Sequence, residues 1–239
     1  MDLIFKEKTV LIAEGNAGVG LECATLFHKF GADVILVHRE LVKPEKIILE
    51  NFDPKEISRI KVFEVDLDKP KKIRSSLEEI HKTFANIDIL ISNYSETQVQ
   101  DHIDIFDENV FVNDIKASAW PHIELLIGIR EVFDSCPNYA VAVLEESSQG
   151  AVNNISKSII ETLSRYMATN YLYENCRVNI LKVLKDPNKN NIQNGNSDLS
   201  FEVSDMDAAK TVITMCSGML DSMSGQILRL DNGMECASS

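Results

Sequence analysis

Short apolar runs alternate along this chain with longer stretches in which apolar residues recur every third or fourth position. Thr9-Val10-Leu11-Ile12 reads as a buried strand, followed by a glycine-bearing turn. Residues 20–30 then carry apolar side chains at helical spacing, Gly31 closes that helix, and Val34-Ile35-Leu36-Val37 forms the next strand. Further strands are predicted at residues 62–65, 87–91, 140–144, 178–181 and 226–230, with helices over residues 69–84, 110–133, 154–173 and 205–219. Short strands separated by helices require crossover connections, so the expected fold is α/β: a doubly wound, mostly parallel sheet with helices on both faces. The length of 239 residues suits a single domain spanning 1–239.

Residues 185–200 break the alternation. They are rich in Asn, Asp, Ser and Gly, and read as a loop that a doubly wound sheet would hang over the carboxyl edge of its strands. The net charge of -13 argues against nucleic acid or an anionic membrane as partner, because phosphate binding needs clustered Lys and Arg. The five cysteines are scattered with no C-x-x-C, which predicts reduced thiols and no metal site. No apolar run approaches the ~18 residues of a membrane span and the first residues lack a leader pattern, so a cytoplasmic protein is expected.

The turn Ala13-Glu14-Gly15-Asn16-Ala17-Gly18-Val19-Gly20 follows a strand and opens a helix, the context in which a glycine pattern cradles phosphate. It resembles the first motif of the short-chain dehydrogenase/reductase family, Thr-Gly-x-x-x-Gly-x-Gly, keeping the last two glycines as Gly18 and Gly20. Ala13 and Glu14 replace the first two positions. The resemblance covers nearly the whole chain, is nearest in general pattern to 3-oxoacyl-carrier-protein reductases, and implies a Rossmann-like domain. It further implies a dinucleotide over Gly15, Asn16, Gly18, Val19 and Gly20, with Asp66 and Leu67 on the adenine side. Asn93 and Tyr94 stand in the family's Asn-Asn-Ala-Gly turn. Arg39, at the end of the second strand, points to the 2′-phosphate of NADP over NAD. Glu14 works against any such ligand: a carboxylate about 4 Å from a phosphate costs roughly 4 kcal/mol at an effective dielectric of 20. It must turn aside, be neutralised by Arg39, or leave cofactor binding weak or absent.

The family's chemistry uses a Ser and a Tyr on the carbonyl oxygen, a Lys that lowers the tyrosine's pKa, and an Asn that holds a water. Carried over by position, Lys157 survives, and it has a ribose-binding role beside its catalytic one. Asn153 replaces the Tyr, Asp114 falls on the Asn, and Glu146 on the Ser with Ser147 adjacent. An amide has no proton to give near neutral pH, so Asn153 can bond a carbonyl but not act as its acid. Lys157 reads equally as an exposed helix cation, and Glu145-Glu146 as a solvated turn. His38 reads as a solvated loop residue, and the other histidines have no assigned role.

The resemblance therefore implies a degenerate member with a non-catalytic or nucleotide-responsive binding role. Two alternatives stay open: an NADP-dependent reductase of a carbonyl or acyl-carrier-bound substrate using a rearranged acid, or a redox-neutral activity of Glu145, Glu146, Asp114 and Lys157. The segment from Met219 to Met234 resembles the family's terminal helix–strand unit, which with the Lys157 helix builds subunit interfaces. That implies a homo-oligomer, or a hetero-oligomer with an active relative.

Overall fold

A computed structural model describes residues 4–39, 52, 57–67, 69–94, 112, 116, 119–146, 151–185 and 202–233, with the side chains of 94 and 151–154 excepted. Asp114, Ser147 and the residues beyond Lys185 in which a loop was expected lie outside the described residues. Seven strands form one sheet: β1 (Thr9–Ala13), β2 (Asp33–His38), β3 (Ile60–Glu64), β4 (Ile89–Tyr94), β5 (Tyr139–Glu146), β6 (Arg177–Leu184) and β7 (Ile227–Leu230). Their spatial order is β3-β2-β1-β4-β5-β6-β7, and every pairing is parallel. The helices are α1 (Gly18–Lys29), α2 (Pro70–His81), α3 (Trp120–Phe133), α4 (Ala151–Asn170) and α5 (Asp205–Met215). The mostly parallel, doubly wound sheet anticipated from the apolar pattern is the fold observed.

A sheet covered on both faces needs strands that are apolar throughout, and β1 is buried at every position. Alternate residues serve opposite layers. Val10, Ile12, Val141 and Val143 join the core beneath α1 and α5, while Leu11, Ile35, Leu90 and Ala140 join the core beneath α2 and α3. Ala142, Leu144 and Ile180 meet Ile160 of α4. Among the described residues no helix is long and apolar enough to cross a membrane.

Two local expectations are corrected. Glu145 and Glu146 do not form a solvated turn: β5 continues through both, in register with Val183 and Leu184 of β6, and both are half-buried. His38 is not a solvated loop residue but the last residue of β2, only 1% exposed.

Candidate functional site

In this strand order the crossovers leave β1 and β4 in opposite directions, and the crevice that opens beyond their carboxyl ends is where such sheets bind ligands. Ala13 ends β1. The chain then turns through Glu14, whose backbone takes φ 55 and whose N–H donates to Val37 O at 2.8 Å. Glycine adopts that left-handed conformation freely, whereas any other residue gives up roughly 1 kcal/mol or more. The Glu14 side chain pairs with Arg39, Oε1 to Nε 3.0 Å, and both residues line the cavity at the carboxyl ends of β1 and β4. The carboxylate is thus neutralised, and the guanidinium that the sequence offers to a 2′-phosphate is already engaged.

The glycines divide in role. A methyl on Gly15 would lie 2.8 Å from Leu36 Cδ2, so Gly15 is packed against β2, and Asn16 is half-buried in the turn. Gly20 lets α1 close onto the turn: a Cβ there would meet Glu14 O at 2.5 Å. Val19 is fully buried in the α1 core, leaving its backbone to face the helix start. Gly18 has φ 55 and open space before it, yet a Cβ on it would come within 3.9 Å of Asp205 Oδ2 and 4.0 Å of Glu145 Oε1.

On the nucleoside side Asn93 is 8% exposed and donates its amide to Glu14 O at 3.3 Å, tying β4 to the glycine turn. Its Oδ1, the Ser92 hydroxyl and His122 Nδ1 find no hydrogen-bond partner among the described residues. All three residues border a cavity of about 30 Å³, whose wall includes Ala13, Leu67 and Ile160. Asp66 turns outward to Lys69 at 2.7 Å, so Leu67 rather than Asp66 faces this cavity. Ser92 and His122 were not marked by the sequence. Pro121 at the start of α3 places His122 at the same sheet edge, but only the tertiary fold reveals its burial. His122 bonds Ser164 of α4 at 3.1 Å, and burial lowers its pKa to about 4, which keeps it neutral.

At the chemical end, Lys157 is only 4% exposed and is not a free surface cation. Position 153 lies one turn earlier on α4. Glu146, where the family's serine would stand, is bound elsewhere: Oε1 lies 3.2 Å from Lys182 Nζ, and Oε2 lies 3.0 Å from Arg229 Nε. Lys182 also meets Glu161 of α4 at 2.5 Å, and Arg229 lies 3.8 Å from Asp231. Burial opposes the charge on Lys182, but the hydrogen bonds that its ammonium donates to Glu161 and Glu146 outweigh it and hold the ammonium pKa above its usual value. Adjacent strand residues face opposite layers, so Glu145 reaches toward Gly18 while Glu146 reaches toward β7. The two acids therefore do not gather into the paired-carboxylate cluster considered from the sequence.

The arrangement fits a dinucleotide in part. Asn93, Ser92 and Leu67 suit a nucleoside, and the uncapped start of α1 suits an anion. The carboxylates beside Gly18 and the Glu14–Arg39 pair do not suit a diphosphate or a 2′-phosphate.

A family model described as Enoyl-(Acyl carrier protein) reductase matches residues 13–235. An uncharacterized oxidoreductase, YvrD, of Bacillus subtilis (strain 168) is 32% identical over 108 residues, 45% of this chain and 40% of that protein. Dehydrogenase/reductase SDR family member 7B of Danio rerio is 27% identical over 119 residues, 44% of this chain and 38% of that protein. The match to the oxidoreductase calI of Penicillium decumbens likewise spans only 30% of that protein. Among solved structures, gox2181 superposes with a TM-score of 0.83 at 14% identity, covering 98% of both chains. L-sorbose reductase from Gluconobacter frateurii, complexed with NADPH and L-sorbose, superposes with a TM-score of 0.80 at 19% identity, again covering 98% of both chains.

Proposed function

From the premise that this chain belongs to the short-chain dehydrogenase/reductase family of NAD(P)-binding, Rossmann-fold oxidoreductases, we propose that it is a member that binds without proton transfer. It works as a nucleotide-responsive subunit in the cytoplasm, in an oligomer with copies of itself or with an active relative. One observation carries this reading: Glu146, at the serine position, is ion-paired with Lys182 and Arg229. With Asn153 in place of the tyrosine, the serine's hydroxyl and the tyrosine's acidic proton are both missing from their usual places. The loss of a positioned general acid forfeits roughly 10²–10⁴-fold in rate.

The cofactor, when bound, supplies hydride. What this chain contributes is Asn93 bracing the glycine turn, Lys157 held at the buried edge of α4, and a crevice walled by Leu67 and Ile160.

The competing reading is a reductase of a carbonyl or acyl-carrier-bound substrate with a rearranged acid. The burial of Lys157 favours it, because an ammonium is kept out of water where it has a role to play. Calorimetric titration with NADH and NADPH, run beside a nicotinamide-absorbance assay over a panel of carbonyl compounds, separates the two. Saturable binding without turnover supports the binding subunit. Turnover that Lys157→Ala abolishes establishes the reductase.

A further inference from the structure

Two thiols far apart in the sequence meet at the amino edge of the sheet. Cys136 lies between α3 and β5, and Cys176 immediately precedes β6. β5 and β6 pair in register from Tyr139 and Arg177, and Arg177 N donates to Asn138 O at 2.8 Å, so the two entering backbones run side by side. Cys176 is fully buried in the core beneath α2 and α3, and Cys136 packs half-buried against the rim of that core. The side chains of the two cysteines are hydrogen-bonded to each other. Cys136 Sγ also donates to Glu174 Oε2 at 3.1 Å, and Arg130 Nε holds both oxygens of that carboxylate at 2.9 Å. The hydrogen bond with Cys136 and burial together push the Cys176 thiol well above the ordinary range, so it stays protonated until its partner reacts. Cys23 and Cys216 are a contrast within the same molecule, 0% and 3% exposed in the core beneath α1 and α5. Burial pushes both of those thiols up, and a reagent in solvent reaches neither while the fold is intact.

We propose that Cys136 and Cys176 form a reversible disulfide by exchange with a small-molecule disulfide, Cys136 being the point of entry and Cys176 the resolving thiol. Cys136 gives up its proton and attacks one sulfur of the small disulfide. That S–S bond breaks, a mixed disulfide forms on Cys136, and the departing thiolate takes the proton. Cys176 then attacks Cys136 Sγ, the second small thiolate leaves with the Cys176 proton, and the protein bridge is complete. Two protein thiols are oxidised, and one small disulfide is reduced to two thiols. An accessible thiol with a second beside it is the arrangement that exchanges reversibly in a reducing compartment. The bridge closes the loop from 136 to 176, which contains β5 and the Lys157-bearing helix α4. Oxidation thus braces two elements that wall the crevice, whatever the crevice binds.

The test is disulfide mapping on the full chain in a Cys236→Ser background, which removes the fifth cysteine. Oxidised glutathione is the probe; free thiols are then alkylated and the peptides are read by mass spectrometry. The expected product is a single bridge between Cys136 and Cys176, with Cys23 and Cys216 alkylated only after unfolding. In Cys176→Ser the reaction is expected to stop at glutathione on Cys136, and Cys136→Ser is expected to take up none. The bridged protein is expected to melt about 5 °C or more above the reduced one, and dithiothreitol to reverse the shift. Cys136 and Cys176 both left free, or glutathione resting on Cys136 in the protein that keeps Cys176, overturns the proposal. So does oxidation of Cys23 and Cys216 at the same rate, because burial then confers no selectivity. A bridge that leaves the melting temperature unmoved overturns the brace. Should either further serine variant fail to fold, mapping of the Cys236→Ser protein alone decides between bridge and no bridge.

Discussion

Glu14 holds Arg39 across the mouth of the crevice, Oε1 to Nε 3.0 Å, from a backbone position at φ 55. The acid is neutralised at the expense of the cation. The family's glycine at this place has neither the strain nor the grip on Arg39. Glu14→Gly suits the backbone and releases the guanidinium, so NADPH affinity is expected to rise about tenfold relative to NADH. Paired titrations with the two cofactors check it, and an unchanged ratio shows that Arg39 does not read the 2′-phosphate.

The ion pairs at the ends of β5, β6 and β7 make a second prediction. Lys182 stands between Glu146 and Glu161, and its side chain is 20% exposed. Lys182→Met leaves two half-buried carboxylates facing one another and is expected to cost about 2 kcal/mol. Glu146→Gln keeps the shape and leaves Lys182 paired with Glu161, costing about 1 kcal/mol or less. Urea denaturation at neutral pH ranks the two, and the reverse order contradicts the arrangement.

The fold was legible in the sequence because buried parallel strands need unbroken apolar runs, and the seven runs read as strands all fall on strands that the sheet contains. The strand ends were less legible. β5 was expected to stop at Leu144, since acids at the end of an apolar run resemble a turn. It continues because Lys182 and Arg229 on neighbouring strands receive Glu146, a pairing written in residues distant along the chain. The glycine turn showed where the crevice lies, but not that Gly15 packs against Leu36 or that Asp66 turns outward to Lys69. His122 gave no local signal, because a histidine in an apolar helix reads the same whether its ring bonds a partner or meets water.

His122 carries the pH dependence. Burial lowers its pKa from the ordinary 6.5 to about 4, so between these values the unfolded chain binds a proton that the folded chain does not. Stability attributable to this residue is therefore full above pH ~6.5 and falls as the pH drops toward ~4, by about 3 kcal/mol over the window. His122→Gln keeps a hydrogen-bonding partner for Ser164 and is expected to flatten the fall. Denaturant midpoints across this range for the two proteins test the assignment, and equal slopes would refute it.

The claim that this crevice binds without transferring a proton is met most directly by measuring turnover in wild type and in Asn153→Tyr combined with Glu146→Ser. NADH and NADPH oxidation is followed over one panel of carbonyl substrates. The account predicts no turnover above the uncatalysed background for wild type, with any activity that emerges confined to the variant carrying the restored phenol and hydroxyl. Wild-type turnover at an ordinary enzymatic rate of about 1 s⁻¹ or faster, lost in Lys157→Ala, would contradict it.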